Sequence, residues 1–330
     1  MSRVIGIVGA QVKPVPFDPE ATWTKFEHEV RLLAATMPAF GLYVFPELYL
    51  SAHGSWGDSY PVGYESKVAE PIPGPLTDKL SDLARSVKRW IVPGSFYERD
   101  GAAIYNTCVA VDPNGKIVAR YRKIFPWKPL ESTTPGRDFS VFDIPGVGRF
   151  GLMICYDGWF PEVPRALAWM GAEAILQPTA TTTIDRAQEL VLARANAIVN
   201  QCYVINPNLG GLFGTGSSII VDPEGVVLAQ GGSGEEFLTQ VIDLDKSSST
   251  RQFGTAGQSR MWKQLRDLPV PNFPQYVEGF AAGSIMAELG PLSIRSSIHS
   301  MAHLDANGEQ AHEEDAVPAL ADVQPALAES

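Results

Sequence analysis

Short apolar, β-branched runs alternate along this chain with longer amphipathic stretches, a pattern that predicts a layered α/β protein. Residues 4–10 read as a first strand. A loop carrying Pro14, Pro16 and Pro19 leads into residues 21–36, where Phe26, Val30, Leu33 and Ala34 recur at helical spacing. Residues 42–45 form a brief run that is apolar on both faces. Residues 75–87 open with proline and carry Leu76, Leu80 and Leu83 at i, i+4 and i+7, which predicts a helix. Further strands are expected at 90–97, 104–111, 116–121, 150–155, 174–177, 202–206, 217–222, 226–230 and 237–244, and further helices at 161–170 and 184–200. Two of the strand pairs are joined by Asp-Pro-x-Gly, at Asp112 to Gly115 and at Asp222 to Gly225, where proline and glycine suit a tight reversal. Hairpins mixed with β-α-β units argue for more than one mixed sheet with helices outside, not for a single parallel sheet.

Composition narrows the class. A chain of 330 residues, 45% hydrophobic and 19% charged, is long enough to bury its own core without a disulfide or metal staple, which excludes disorder throughout. The net charge of −11 has the wrong sign for a protein that neutralises nucleic-acid phosphates or an anionic membrane. Between His299 and Ser330 there is no Lys or Arg, while Asp305, Glu309, Glu313, Glu314, Asp315, Asp322 and Glu329 supply seven of those charges. That segment lacks aromatic residues and any sustained period, so it reads as a disordered acidic tail. The expected organisation is one folded domain over 1–250, an arm over 251–298 at a subunit interface, and the tail over 299–330. Cys108, Cys155 and Cys202 show no Cys-x-x-Cys spacing, which argues against a disulfide framework or a zinc site. The N-terminus lacks the pattern of a signal peptide and no run approaches 18 apolar residues, so a cytoplasmic address is expected.

Several familiar chemistries lack their residues. The chain has five histidines, His28, His53, His299, His303 and His312, which leaves few partners for a nucleophile–His dyad, and no Gly-x-Ser-x-Gly elbow occurs. The Gly-rich stretch 210–216 precedes a strand instead of opening a helix, so it is no phosphate loop, and His-Glu-x-x-His is absent. What stands out is a set of polar residues just after apolar strands: Glu47, Lys123 and Cys155. Strand ends are where layered α/β folds build their sites. Taken singly, a buried cysteine, a solvated lysine and a capping glutamate are ordinary structural residues. Cys155, however, is followed by Tyr156-Asp157-Gly158-Trp159-Phe160-Pro161-Glu162, which implies a sharp turn at the sulfur that exposes it and favours a reactive thiolate.

Phe45-Pro46-Glu47, Tyr121-Arg122-Lys123 and Cys155-Tyr156-Asp157 with Phe160-Pro161-Glu162 resemble the Glu, Lys and Cys motifs of the nitrilase superfamily of carbon–nitrogen hydrolases. The resemblance runs over about residues 3 to 245, through Ala193-Arg194-Ala195 and the stretch from Gly216 to Gly225. It implies a four-layer α-β-β-α sandwich with a C-terminal extension, assembled into dimers or hexamers. It also implies Glu47 as proton carrier, Lys123 as fixed cation and Cys155 as nucleophile. Lys123 to Glu131 is similar to the matching segment of aliphatic amidases and formamidases, which implies a second carboxylate at Glu131. The expected reaction is hydrolysis of a small primary amide through a Cys155 thioester, with no metal or organic cofactor. Tyr49, Trp127, Tyr156 and Trp159 are candidates for the pocket wall, and Cys108 and Cys202 are expected to be inert. Neighbouring readings are an N-carbamoyl amino acid hydrolase, with Arg165 or Arg194 holding a substrate carboxylate, acyl transfer, and a nitrilase, disfavoured because nitrilases typically read Cys-Trp-Glu. A reading of another class is an inactive binding or scaffold member, which would be expected to have lost a catalytic residue.

Overall fold

The computed structural model describes residues 2–54, 61–128, 130–211 and 214–267. The first half contains β1 (Val4–Gln11), α1 (Pro19–Thr36), β2 (Phe40–Val44), α2 (Tyr64–Val68), α3 (Pro75–Val87), β3 (Trp90–Val92), β4 (Ser95–Asp100), β5 (Ala103–Val111) and β6 (Ile117–Arg122). Next come β7 (Ser140–Ile144), β8 (Gly148–Leu152), a 3-10 helix (Cys155–Trp159), α4 (Glu162–Trp169), β9 (Ala174–Leu176), α5 (Arg186–Asn200) and β10 (Tyr203–Asn206). The last part holds β11 (Ile219–Val221), β12 (Val227–Gln230), β13 (Glu236–Asp243), α6 (Asp245–Phe253) and α7 (Met261–Asp267).

Two mixed sheets result. The first runs β13-β1-β2-β3-β5-β4 with β6 also paired to β5, and the second runs β12-β11-β10-β9-β8-β7. Alternation along each strand explains the layers. Ile5 and Ile7 of β1, Leu42 and Val44 of β2 and Ala110 of β5 share a buried core with Phe142, Leu152, Leu176 and Ile205 of the second sheet. Val8, Ala10, Tyr43 and Val109 point the other way, onto Phe26, Val30 and Leu33 of α1 and Leu80 and Leu83 of α3. On the outer side of the second sheet, Ala193 and Ala197 of α5 cover Val204, Ile219 and Val221. The fold is the expected α-β-β-α sandwich. Both Asp-Pro-x-Gly hairpins form, one in each sheet, by the same device. Asp112 Oδ1 accepts from the N–H groups of Asn114 and Lys116, and Asp222 Oδ1 accepts from those of Glu224 and Val226.

The structure departs from the sequence pattern in a few places. The strand expected over 90–97 is two strands, because Gly94 sits at φ 84° in the left-handed region and turns the chain. An added Cβ there would lie 1.7 Å from the Pro46 carbonyl oxygen, so the turn packs directly against the residue before Glu47. Gly94→Ala is expected to cost ~2–4 kcal/mol in unfolding free energy and to lower turnover. Gly101, at φ 60° with open space around it, should lose only about 1 kcal/mol on the same change, a contrast that thermal unfolding measures directly. The strand expected over 150–155 stops at Leu152, since the chain must leave the ladder to make its turn at Cys155. α2 and β7 carry too short a pattern to be read from the sequence. Of the expected arm over 251–298, the first part to 267 contains the end of α6 and then α7, where the guanidinium groups of Arg165 and Arg251 lie 4.9 and 5.6 Å from the centre of the Trp262 ring. The rest of the arm and the tail over 299–330 lie outside the described residues. No helix among the described residues is long and apolar enough to cross a membrane.

Candidate active site

Three strand ends converge at one end of the sandwich. Glu47 follows β2, and its backbone is held from both sheets: Phe45 N–H donates to the Val92 carbonyl at 2.9 Å and Glu47 N–H to the Thr179 carbonyl at 3.2 Å. Leu48, next in the chain, takes a left-handed φ of 52° and donates its N–H to Ser95 Oγ at 3.0 Å, which turns the chain away and leaves the glutamate facing inward. Lys123 follows β6, with its N–H on the Asn106 carbonyl at 2.9 Å and its own carbonyl accepting from Gly136 N–H at 2.7 Å.

Cys155 adopts a φ of 46°, a conformation a side-chain-bearing residue rarely holds unless its surroundings enforce it. Enforcement comes from Asp157, two residues on. Its Oδ2 accepts from Ile154 N–H at 3.0 Å and from the Tyr121 hydroxyl at 2.7 Å, and its Oδ1 accepts from Phe125 N–H at 2.8 Å. Tyr121 and Phe125 flank Lys123, so one buried carboxylate ties the cysteine turn to the lysine strand. Burial pushes the Asp157 carboxyl up to about 6. Behind the turn, Gln177 Nε2 donates to the Cys155 carbonyl at 2.9 Å and Asn196 Nδ2 to the Gly158 carbonyl at 2.9 Å.

The polar heart is compact. Lys123 Nζ donates to Glu47 Oε1 at 2.9 Å and to Glu131 Oε2 at 2.7 Å, and all three side chains are at most 4% exposed. Asn106 Nδ2 donates to both carboxylates, at 2.9 Å to Glu47 and 3.1 Å to Glu131. Glu131 accepts in addition from Thr133 Oγ1 at 2.8 Å and from Trp127 N–H at 2.9 Å. Two buried carboxylates share a single cation, so their environments separate them. Burial pushes the Glu47 carboxyl up, with the Glu131 charge adding to the effect and Lys123 opposing it. At Glu131 burial also opposes ionisation, but Lys123, with the Trp127 N–H and the Thr133 hydroxyl, outweighs it and holds the carboxyl below its usual range. Lys123 itself is held protonated, because the two carboxylates overcome the effect of burial.

The Cys155 thiol and the Glu47 carboxylate line the same pocket, and each acts on the ionisation of the other. Burial and the charges of Glu47 and Glu189 push the thiol well above its usual range despite Lys123. The backbone N–H of Cys155 is committed to the Pro178 carbonyl at 2.9 Å. The turn therefore does not poise a thiolate, contrary to what its sequence predicts. It holds a neutral thiol beside a base. Sγ also lies 3.8 Å from Thr181 Oγ1 and 3.9 Å from Glu189 Oε1, while Glu189 Oε2 accepts from Thr181 Oγ1 at 2.6 Å and from Arg186 Nη1 at 3.0 Å.

A pocket enclosing about 520 Å³ of empty space, including its open mouth, leads to these groups. Trp127, Tyr156 and Trp159 line it, joined by His53, which burial depresses to about 4 and so keeps neutral. Tyr49 is elsewhere: its ring stacks on Phe45 in the core under α1 and its hydroxyl donates to Glu29 at 2.9 Å. Cys108 and Cys202 are fully buried core residues whose thiols burial pushes up. Arg194 donates to the Gly225 carbonyl at 3.1 Å and Arg165 packs on Trp262, so neither lines the pocket. Among the described residues, no cluster of three His, Cys, Asp or Glu side chains is arranged to hold a metal.

The profile of the family described as Carbon-nitrogen hydrolase matches residues 5–252. The chain belongs to that family. This carbon–nitrogen hydrolase is 31% identical over 264 residues to the human protein named omega-amidase NIT2, covering 75% of this chain and 91% of that one. It is 33% identical over 223 residues to the Bos taurus protein of the same name, covering 63% of this chain and 78% of that one. Among solved structures it is similar to Saccharomyces cerevisiae Nit3, a member of branch 10 of the nitrilase superfamily, with a TM-score of 0.69 and 28% identity over 76% of this chain and 94% of that one. A carbon–nitrogen hydrolase from Helicobacter pylori gives a TM-score of 0.68 and 25% identity over 84% of this chain and 99% of that one. Membership of the nitrilase superfamily makes the carbon–nitrogen hydrolase an enzyme acting on carbon–nitrogen bonds other than peptide bonds. Asn106, Thr181 and Glu189 are site residues that motif reading passed over. Each left a trace, as a polar residue interrupting a buried strand, strand end or helix face.

Proposed function

We propose that this carbon–nitrogen hydrolase is an amidase converting a small primary carboxamide into its carboxylic acid and ammonia. The observation that carries the proposal is the buried Lys123 clamped between two carboxylates of opposite pKa displacement, beside a neutral thiol. The name shared by the human and Bos taurus relatives supports it. Glu47 removes the Sγ proton as sulfur attacks the amide carbon, and the carbonyl π electrons move onto oxygen. Lys123 and the Tyr156 N–H, at the start of the 3-10 helix, stabilise that oxyanion, each donor worth roughly 3–4 kcal/mol. Glu47 then returns the proton to nitrogen, the C–N bond breaks, and ammonia leaves a Cys155 thioester. Water, deprotonated by Glu47, attacks the thioester, and the carboxylic acid and the thiol are released. Glu131 stays ionised throughout and positions Lys123.

The test is ammonia release across short aliphatic amides, N-carbamoyl amino acids and nitriles, each with a Cys155→Ala control. Thiol-dependent release from the amides is expected. Release confined to nitriles or carbamoyl compounds, or none at all, would overturn the assignment. Because Glu47 must be ionised to accept the thiol proton and its pKa is raised, kcat/KM is expected to fall on the acid side with a midpoint above the ordinary carboxylate value of 4.5. A pH–rate profile with Glu47→Gln beside it checks this. The arm beyond residue 251 is proposed to join subunits into dimers or hexamers, and light scattering that finds a monomer would remove that part.

A further inference from the structure

α5 meets the nucleophile turn at two places on one face. Glu189 and Asn196 stand seven residues apart on the helix, which is two turns, so their side chains emerge on the same side. Asn196 Nδ2 donates to the Gly158 carbonyl at 2.9 Å, and Glu189 Oε1 lies 3.9 Å from Cys155 Sγ. The helix itself is seated on the second sheet through Ala193 and Ala197, which fixes where both side chains arrive. A carboxylate buried this deeply needs a cation. Arg186, one turn earlier, supplies it with Nη1 on Glu189 Oε2 at 3.0 Å, and Thr181 Oγ1 donates to the same oxygen at 2.6 Å. Arg186 Nη2 is drawn off to the Ser217 carbonyl at 2.8 Å. Both partners of the carboxylate therefore take Oε2, and among the described residues the Cys155 thiol is the one hydrogen-bonding group on Oε1. Glu189 lines the pocket and Arg186 does not, so the ion pair is a dipole with its negative end on the sulfur.

We propose that Glu189 is a positioning residue for the nucleophile, accepting the Cys155 S–H in the resting enzyme and keeping its proton on sulfur until attack passes it to Glu47. The proposal rests on Cys155 as the nucleophile of the amidase assigned above and deepens that reading. Three charged groups act on the thiol: Glu47 after β2 and Glu189 on α5 oppose its ionisation, and Lys123 after β6 favours it. Glu131, His53 and Asp185 line the same pocket. The two opposing carboxylates are not equivalent, because Glu47 Oε1 already accepts from Lys123 Nζ and Asn106 Nδ2 while Glu189 Oε1 has only the thiol. An S–H is a weak donor at 3.9 Å, so Glu189 works chiefly through its charge: it repels a thiolate and tolerates a thiol. The sulfur thus stays quiet toward stray electrophiles, and loss of its proton is tied to attack on a bound amide.

The experiment follows the ultraviolet thiolate band of the full-length enzyme against pH, with Cys155→Ala subtracted, and the rate of methylthiolation by methyl methanethiosulfonate at neutral pH, read by intact mass. In Glu189→Gln the band is expected at lower pH than in the parent, and methylthiolation at neutral pH should be about threefold to tenfold faster. The double variant Arg186→Met with Glu189→Gln removes the ion pair as a whole and leaves no buried arginine without its partner. It should move both readouts in the same direction, since the negative end of the dipole is the end nearer the sulfur. A thiolate band at unchanged pH in the folded variants would overturn the proposal. So would faster methylthiolation with an unmoved band, which is what looser packing alone produces. Neither readout needs turnover, so a shifted band with no ammonia released from any amide would overturn the amidase assignment and leave the role of Glu189 standing.

Discussion

Replacing Cys155 with alanine is expected to lower ammonia release by roughly 10⁵-fold while leaving the fold intact. Loss of a nucleophile cannot be recovered by the remaining groups here, because Glu47, Lys123 and the Tyr156 N–H all act on a bond that sulfur must first form. The site holds no second group of comparable nucleophilicity. Thr181 Oγ1 is near, but its proton is given to Glu189 at 2.6 Å. The thiol is small and only partly buried, so thermal unfolding should move by no more than a few degrees. Steady-state kinetics on the best amide, with intact-mass measurement after mixing, gives both readouts. Turnover within tenfold of the parent enzyme would remove Cys155 from the mechanism.

Lys123→Met is expected to be costly for a different reason. The methionine fills the space, but two buried carboxylates then face each other with no cation between them. Breaking a buried ion pair from one side typically costs ~3–5 kcal/mol, which for a domain of this size lowers the melting temperature by about 10 °C. The pH dependence separates this cause from loose packing. Without Lys123 the depressed carboxyl of Glu131 rises to join Glu47, so the folded state binds more protons than the unfolded chain over the range between the ordinary carboxylate value and the raised one. Stability of the variant must then fall as pH increases through that window. Unfolding measured at pH 5 and pH 8 should show the gap between parent and variant widening at pH 8. An equal gap at both would mean that the lysine acts by packing alone. Turnover should fall by at least 10³-fold, since the oxyanion loses its cation and the base loses its partner.

The sequence carried the catalytic motifs and most of the element order, because strand alternation and helical spacing are local properties. The three motif residues stand out where a buried run ends in an ionisable group. Glu189 was harder to see, because within α5 it reads as one of several polar positions, and only the fold shows that it faces the sulfur and not solvent. Tyr49 illustrates the converse. Lying two residues from Glu47 makes it a natural pocket candidate, yet the left-handed turn at Leu48 sends the two side chains in different directions. The thiol's protonation was also beyond local reading, as it depends on carboxylates contributed by β2 and α5.

Asp157 makes the two sheets answerable to each other, and this bears on when the thiol takes on its folded-state reactivity. Its partners Tyr121 and Phe125 come from the first sheet's end of the chain and Ile154 from the second, so the cysteine turn is completed only after the sheets have docked. Until then Cys155 is an ordinary thiol with a pKa near ~8.5, partly ionised and open to peroxide. Once the sandwich closes, burial and the charges of Glu47 and Glu189 suppress the thiolate. Oxidation of Cys155, which proceeds through the thiolate, is therefore expected to run faster on unfolded or heat-loosened chains than on the folded enzyme.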